Sequence, residues 1–176
     1  MAIAITILLV LVILVVIAVL LGLTKPNTFQ VSRSLAITAP AARIFPLIDD
    51  FHAWTRWSPW ENIDADLART YSGPDRGRGA NYAWEGKKSG AGSMLITDSR
   101  EPDLIVIKLD FTRPMIAHNT TEFRLIETGG TTEVEWVMYG PMPFMHRVMS
   151  TVFNMDKLVG GQFAQGLAKM KAVVEA

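Results

Sequence analysis

The chain contains no cysteine, so no disulfide framework, thiolate metal centre or cysteine nucleophile enters any account of it. Net charge is missing too, because seventeen basic residues balance seventeen acidic ones. The basic residues form no cluster, and the electrostatic footprint of a nucleic-acid-binding protein is absent. The three histidines, His52, His118 and His146, lie far apart, and none has the H-x-x-x-H spacing that sets two imidazoles on one helix face for a metal. No G-x-S-x-G elbow or S-x-x-K pair is present to activate a serine. The segment from Gly73 to Gly79 has the glycines of a phosphate loop without its Lys-Ser/Thr ending or its strand-then-helix setting, and reads as turn geometry. Neither a metal nor a cofactor is expected.

Charge is also absent over one long run. From Ala2 to Leu23 there is no ionisable side chain, and Ile, Leu and Val follow neither a helical nor a strand period, so the segment is apolar on every face. As a helix it would reach about 33 Å, which matches a hydrocarbon core roughly 30 Å thick. A cleaved signal peptide is the competing reading. It would need a basic start, a shorter apolar run and a small-x-small site before Lys25, and the sequence has none of these. Residues 1–23 therefore read as a transmembrane anchor, with the membrane as a partner through residues 2–23, and residues 24–29 as a short linker. Lys25 and Arg33 follow the segment and no basic residue precedes it, which places the domain formed by residues 30–176 in the cytoplasm. An extracytoplasmic domain without disulfides is the alternative.

The far end of the chain is strongly patterned. Met155, Val159, Phe163, Leu167, Met170 and Val174 recur every three or four residues and form one stripe, with Lys157, Gln165, Lys169 and Glu175 off it. Asn154 suits an N-cap, Asp156 the first turn, and Lys169 and Lys171 the last turns, which predicts a helix from Met155 to Val174. Its length of about 30 Å is enough to cross a sheet. Gly160, Gly161 and Gly166 each cost roughly 1 kcal/mol against alanine. They mark a bend or a close approach by another backbone or a ligand.

Between these ends the pattern is mostly that of strands. Gln30 to Thr38 alternates, and Pro40 then opens a helix through Ile48 that Pro46 must keep brief or kinked. Asp49 to Trp60 holds three of the five tryptophans within seven residues. Anchoring to the core, a lid over a cavity and a belt at the membrane interface are its three readings. Further strands are expected near 67–71, 80–86, 93–99, 104–112, 118–127 and 131–139. Gly129-Gly130 predicts a type I′ hairpin, which sets Leu125 opposite Val134, Arg124 opposite Glu135, Phe123 opposite Trp136 and Thr121 opposite Met138. The apolar members then share one face.

One strand, two short helices, about six strands in hairpins and a long helix give an α+β fold, because the last helix is the element long enough to cover the dry face of the sheet. The order resembles the helix-grip fold of the START-like (SRPBCC) superfamily, and the motifs resemble its polyketide cyclase/dehydrase-type members. The matching pieces are the Val31–Pro40 segment followed by Ile44 and Phe45, Asp50 with Trp54, Trp57-Ser58-Pro59-Trp60, Tyr82-Ala83-Trp84, the Thr132–Met138 strand and the Gly166–Lys171 segment. They extend over residues 29–175. The resemblance implies a domain that holds a lipid or another hydrophobic small molecule between sheet and helix, while only some members do chemistry on it.

Tyr82, Trp84, Met94, Phe111, Phe123, Trp136, Met138, Phe163, Leu167 and Met170 would meet if the sheet curls over the helix, with Trp57 and Trp60 helping to close the space. Composition alone fits a lined cavity and a solid core equally, and the resemblance favours the cavity. No catalytic residue is assigned. Glu85 and His118 are the residual acid/base candidates, and Asp49-Asp50 beside the tryptophans reads as a helix boundary. The favoured function is a membrane-anchored binder of an apolar ligand. A cyclase or dehydratase and a protein-interaction scaffold are the alternatives.

Overall fold

The computed structural model of the chain describes residues 2–151 and 154–176, and for Ala2 and Met155 the backbone alone. The chain begins with helix α1 (Ala2–Thr24), followed by β1 (Thr28–Ile37), α2 (Ala41–Asp49) and two 3-10 helices, Phe51–Arg56 and Pro59–Asn62. Six strands come next: β2 (Ala68–Ser72), β3 (Asn81–Glu85), β4 (Ala91–Arg100), β5 (Leu104–Arg113), β6 (Ala117–Thr128) and β7 (Thr131–Pro141). Helices α3 (Phe144–Met149) and α4 (Met155–Glu175) end the chain. The seven strands form one antiparallel sheet in the order β1-β7-β6-β5-β4-β3-β2, packed on α4. This is the α+β helix-grip arrangement that the element order predicts.

The β6–β7 hairpin has the predicted register, with Phe123 opposite Trp136 and Arg124 opposite Glu135. Its turn is Gly129-Gly130, at φ of 58° and 80°, a left-handed backbone that side-chain-bearing residues rarely adopt. A one-residue slip would turn Phe123 and Trp136, both buried, out to water. Helix α4 starts where its cap predicts, since the Asn154 side chain accepts from the Lys157 N–H. Its stripe buries Phe163, Leu167, Met170 and Val174, each such burial contributing roughly 1.5–3 kcal/mol. Of the predicted stripe, the Met155 side chain lies outside the described residues. Gly166 marks a close approach: a Cβ there would stand 2.9 Å from the Trp136 ring. Gly160 lies under the Arg33 guanidinium, while Gly161 faces open space.

The tryptophan-rich segment is an internal brace. Helix α2 is only nine residues long with Pro46 inside it, and its last carbonyls have no partners within the helix. The indole N–H of Trp54 donates to Ile48 O at 2.9 Å and that of Trp57 to Leu47 O at 2.7 Å. Both rings are consequently buried, Trp54 at 3% exposure and Trp57 at 1%. For Trp54 and Trp57 this supports the core-anchor reading over a membrane-interface belt, since their indole N–H groups satisfy backbone inside the protein, while Trp60 is half-buried.

Two features were not anticipated. The short helix α3 follows β7, and it packs against the end of α1, with Val148 over Gly22. The junction is tied by polar contacts: Lys25 Nζ donates to Ser150 O at 2.6 Å, and Arg147 donates to Lys25 O at 3.3 Å. Helix α1 itself is long and apolar enough to cross a membrane, and apart from Gly22 beneath Val148 its described side chains are exposed or half-exposed.

Candidate functional site

Helix α4 covers the sheet unevenly. Along its C-terminal half, α2, the first 3-10 helix and the residue after it supply Ile44, Ile48, Trp54 and Trp57 to one continuous core with Phe123, Leu167 and Met170. Along its N-terminal half α2 supplies no lining residue, the short second 3-10 helix stands at the side, and a cavity of about 320 Å³ remains. Its walls come from the second 3-10 helix, the inner face of the sheet, and Val159 and Phe163 of α4.

Eight of the twelve residues expected from the sequence line this space: Trp60, Tyr82, Trp84, Met94, Phe111, Trp136, Met138 and Phe163. The other four, Trp57, Phe123, Leu167 and Met170, are in the solid core. Trp136 forms the partition. It stacks on Phe163 at 4.1 Å on one side, while Trp57 at 5.4 Å and Phe123 at 4.7 Å pack around it as further core rings. Leu167 and Met170 lie one and two turns beyond Phe163 on α4, where α2 fills the gap. They share the inward stripe with Phe163 but not its surroundings.

The wall also holds Trp54, Ser58, Glu61, Ile63, Leu67, Lys88, Ser89, Leu109, Thr121 and Val159. Glu61 is the most informative of these. It is 5% exposed, and a carboxylate so buried must be paired. Its Oε1 accepts from the Tyr82 hydroxyl at 2.8 Å, and its Oε2 from Arg69 Nε at 2.7 Å. Burial, and then the bond to Glu61, push the Tyr82 phenol well above its ordinary range, so it stays protonated. The Glu61 carboxylate in turn raises the Arg69 guanidinium. Glu61 follows the three tryptophans in irregular backbone, and its partners are distant in sequence. Only its place next to Trp60 could have pointed to it.

Other polar groups on the wall are satisfied within the protein. The Thr121 hydroxyl donates to Val137 O and accepts from the Trp136 indole, both at 2.8 Å. Trp84 Nε1 donates to Ser89 O at 3.3 Å. At the mouth, Asp64 accepts from the amides of Lys88 and Ser89 and, at 2.6 Å, from the Ser89 hydroxyl. These bonds, the Ser89 hydroxyl foremost, hold the Asp64 carboxyl below its usual range and pin the loop between β3 and β4.

Neither acid/base candidate reaches the cavity. The Glu85 side chain is 71% exposed and pairs with Arg113 at 2.8 Å, while that of His118 is 65% exposed and pairs with Asp110 at 2.7 Å. Asp50 caps the first 3-10 helix by accepting from the His52 N–H, and Asp49 is buried with its Oδ1 accepting from the Ser99 hydroxyl at 2.5 Å. Among the described residues no three His, Cys, Asp or Glu side chains are grouped to hold a metal ion.

The family profile described as "Polyketide cyclase / dehydrase and lipid transport" matches residues 28–175. Solved structures share the fold at low identity. Protein CV1439 from Chromobacterium violaceum is 17% identical at a TM-score of 0.60, over 86% of this chain and 99% of its own. The Aha1 dimer from Colwellia psychrerythraea is 14% identical at 0.61, over 84% and 96%. Protein Ms6760 from Mycobacterium smegmatis is 17% identical at 0.56, over 83% and 90%. No curated protein matches the sequence.

Proposed function

Since the chain belongs to the polyketide cyclase/dehydrase and lipid transport family through residues 28–175, we propose that it binds a lipid or another hydrophobic small molecule between the sheet and α4, and that α1 anchors it in a membrane. The observation that carries this reading is the cavity of about 320 Å³ walled by Trp60, Trp84, Phe111, Met138 and Phe163. Apolar sites of this kind bind by shape and burial, with few polar anchors. The Glu61, Tyr82, Thr121 and Trp136 polar groups already have partners in the protein, so an occupant meets mainly apolar surface. A binding role is favoured over a cyclase role because Glu61 and Tyr82, the acid and phenol on the wall, engage each other and Arg69. A scaffold with a filled core would lack this space.

The anchor reading rests on the exposed apolar length of α1, and a cytoplasmic domain on Lys25 and Arg33 after it. Activity confined to an exported reporter fused at the C-terminus would reverse that topology. Binding is tested on the purified full chain by organic extraction and mass spectrometry, beside titration with a fluorescent acyl lipid. An apolar molecule should co-purify and compete with the probe. If nothing apolar co-purifies and no apolar probe binds or raises the melting temperature, the binding reading fails.

A further inference from the structure

The strand register shows which loops share an end of the sheet. Ala91 pairs with Arg113, Phe111 with Ala117 and Thr28 with Pro141. The β3–β4 loop, the β5–β6 loop, the start of β1 and the exit from β7 therefore gather at one end. The cavity reaches the surface at that same end, through Lys88 and Ser89 of the β3–β4 loop and Ile63 beside it. Gly90 abuts Arg113 and Pro114, so the two loops touch. Helix α1 also leaves from this end: the Met142 N–H donates to Asn27 O at 2.6 Å, and α3 packs on the last turn of α1.

This end carries apolar side chains that the fold does not use. Ile116 is 70% exposed and Met145 is 65% exposed, with Met115, Phe144 and Met149 also uncovered. Helix α3 buries none of its six residues. A short helix with three bare apolar side chains is poorly suited to water and well suited to a bilayer interface. Its level relative to any bilayer is set by Val148 against Gly22, one residue from the last apolar side chain of α1. The exposed Lys87 and Lys88 of the β3–β4 loop stand where anionic headgroups would be.

We infer that this end of the domain docks on the surface of the bilayer that α1 spans, with Ile116 and Met145 reaching the acyl boundary, so that the cavity opens against lipid. The inference rests on the reading of α1 as an anchor. It adds a route: an apolar molecule passes between bilayer and cavity at this end of the domain, where Ile63 borders the cavity.

The absence of cysteine makes the test direct. Single substitutions Val12→Cys, Ile116→Cys, Met145→Cys and Ile126→Cys in the full chain are labelled with an environment-sensitive dye. The protein is placed in vesicles of phosphatidylcholine and phosphatidylglycerol, with and without brominated acyl chains. All four positions are exposed, so labelling leaves the core intact, and tryptophan emission checks the fold of each variant. Docking predicts loss of fluorescence with brominated lipid at Ile116 and Met145 and none at Ile126, at the far end of the sheet. Dyes at Ile116 and Met145 that behave like the one at Ile126 overturn docking, whatever Val12 reports. A quenched Val12 in that case keeps the anchor. An unquenched Val12 with quenched Ile116 and Met145 overturns the anchor reading, and with it docking on a bilayer that α1 spans, leaving a surface association of this end alone.

Discussion

The two halves of α4 meet the same sheet with the same stripe and produce opposite interiors. At Leu167 and Met170 the space is filled by α2 and the braced tryptophans. At Val159 and Phe163 it is empty across to Trp84 and Phe111. The helix does not decide between them. What decides is whether a third layer is inserted, and the Trp54 and Trp57 indoles hold that layer in place by bonding α2 carbonyls. The cavity is thus the portion of the groove that α2 does not occupy.

The largest test of this contrast is a truncation. Leu167→Ala should destabilise by about 2–5 kcal/mol in denaturant titration, the cost of a void in a packed core, while Val159→Ala should change stability far less. Equal losses at both sites would erase the distinction. Enlargement reverses the logic. Leu167→Trp should overpack and cost about 1–3 kcal/mol, whereas Val159→Trp should leave the melting temperature level or raised and abolish binding of an apolar dye. If Val159→Trp unfolds the chain, the N-terminal half is as full as the other.

Within the cavity half, Glu61→Gln sharpens the account of its wall. It leaves Arg69 without a charge partner and weakens the bond to Tyr82, for about 1–3 kcal/mol. An unchanged melting temperature would mean that the bonds of Glu61 to Tyr82 and Arg69 contribute nothing. The smallest effect is one of pH. Tyr82 has a folded-state pKa raised above its unfolded value of about 10, so its contribution is fully present below that pH and is lost as pH rises beyond it. Unfolding midpoints across the alkaline range should fall, and Tyr82→Phe should flatten that limb. An unaltered slope in the variant would assign the fall to other groups.

Much of the fold was legible because it is local or periodic. Gly129-Gly130 specified a turn, the turn specified Phe123 opposite Trp136, and the stripe of α4 specified which side faces in. Helix α3 was not legible: Phe144 to Met149 is six residues behind Pro143, with His146 and Arg147 between apolar neighbours, and too short for a period to register. The site was half legible. Inward direction follows from spacing, but whether an inward side chain borders a void depends on α2, which lies far away in sequence. That is why Trp136 and Phe163 were placed with Phe123 and Leu167. Glu61 was missed because its partners Arg69 and Tyr82 meet it only in the folded chain.

The sheet order has a consequence for how the chain comes together. Strand β1 is made first and pairs with β7 alone, whose residues follow about a hundred positions later. During synthesis β1 therefore waits, while the β3–β4, β4–β5 and β6–β7 hairpins can close as they emerge. Long-range pairing of this kind pays its loop-closure entropy late and slows folding. A chain that stopped short of Thr131 would leave the backbone donors and acceptors of β1 without a neighbour.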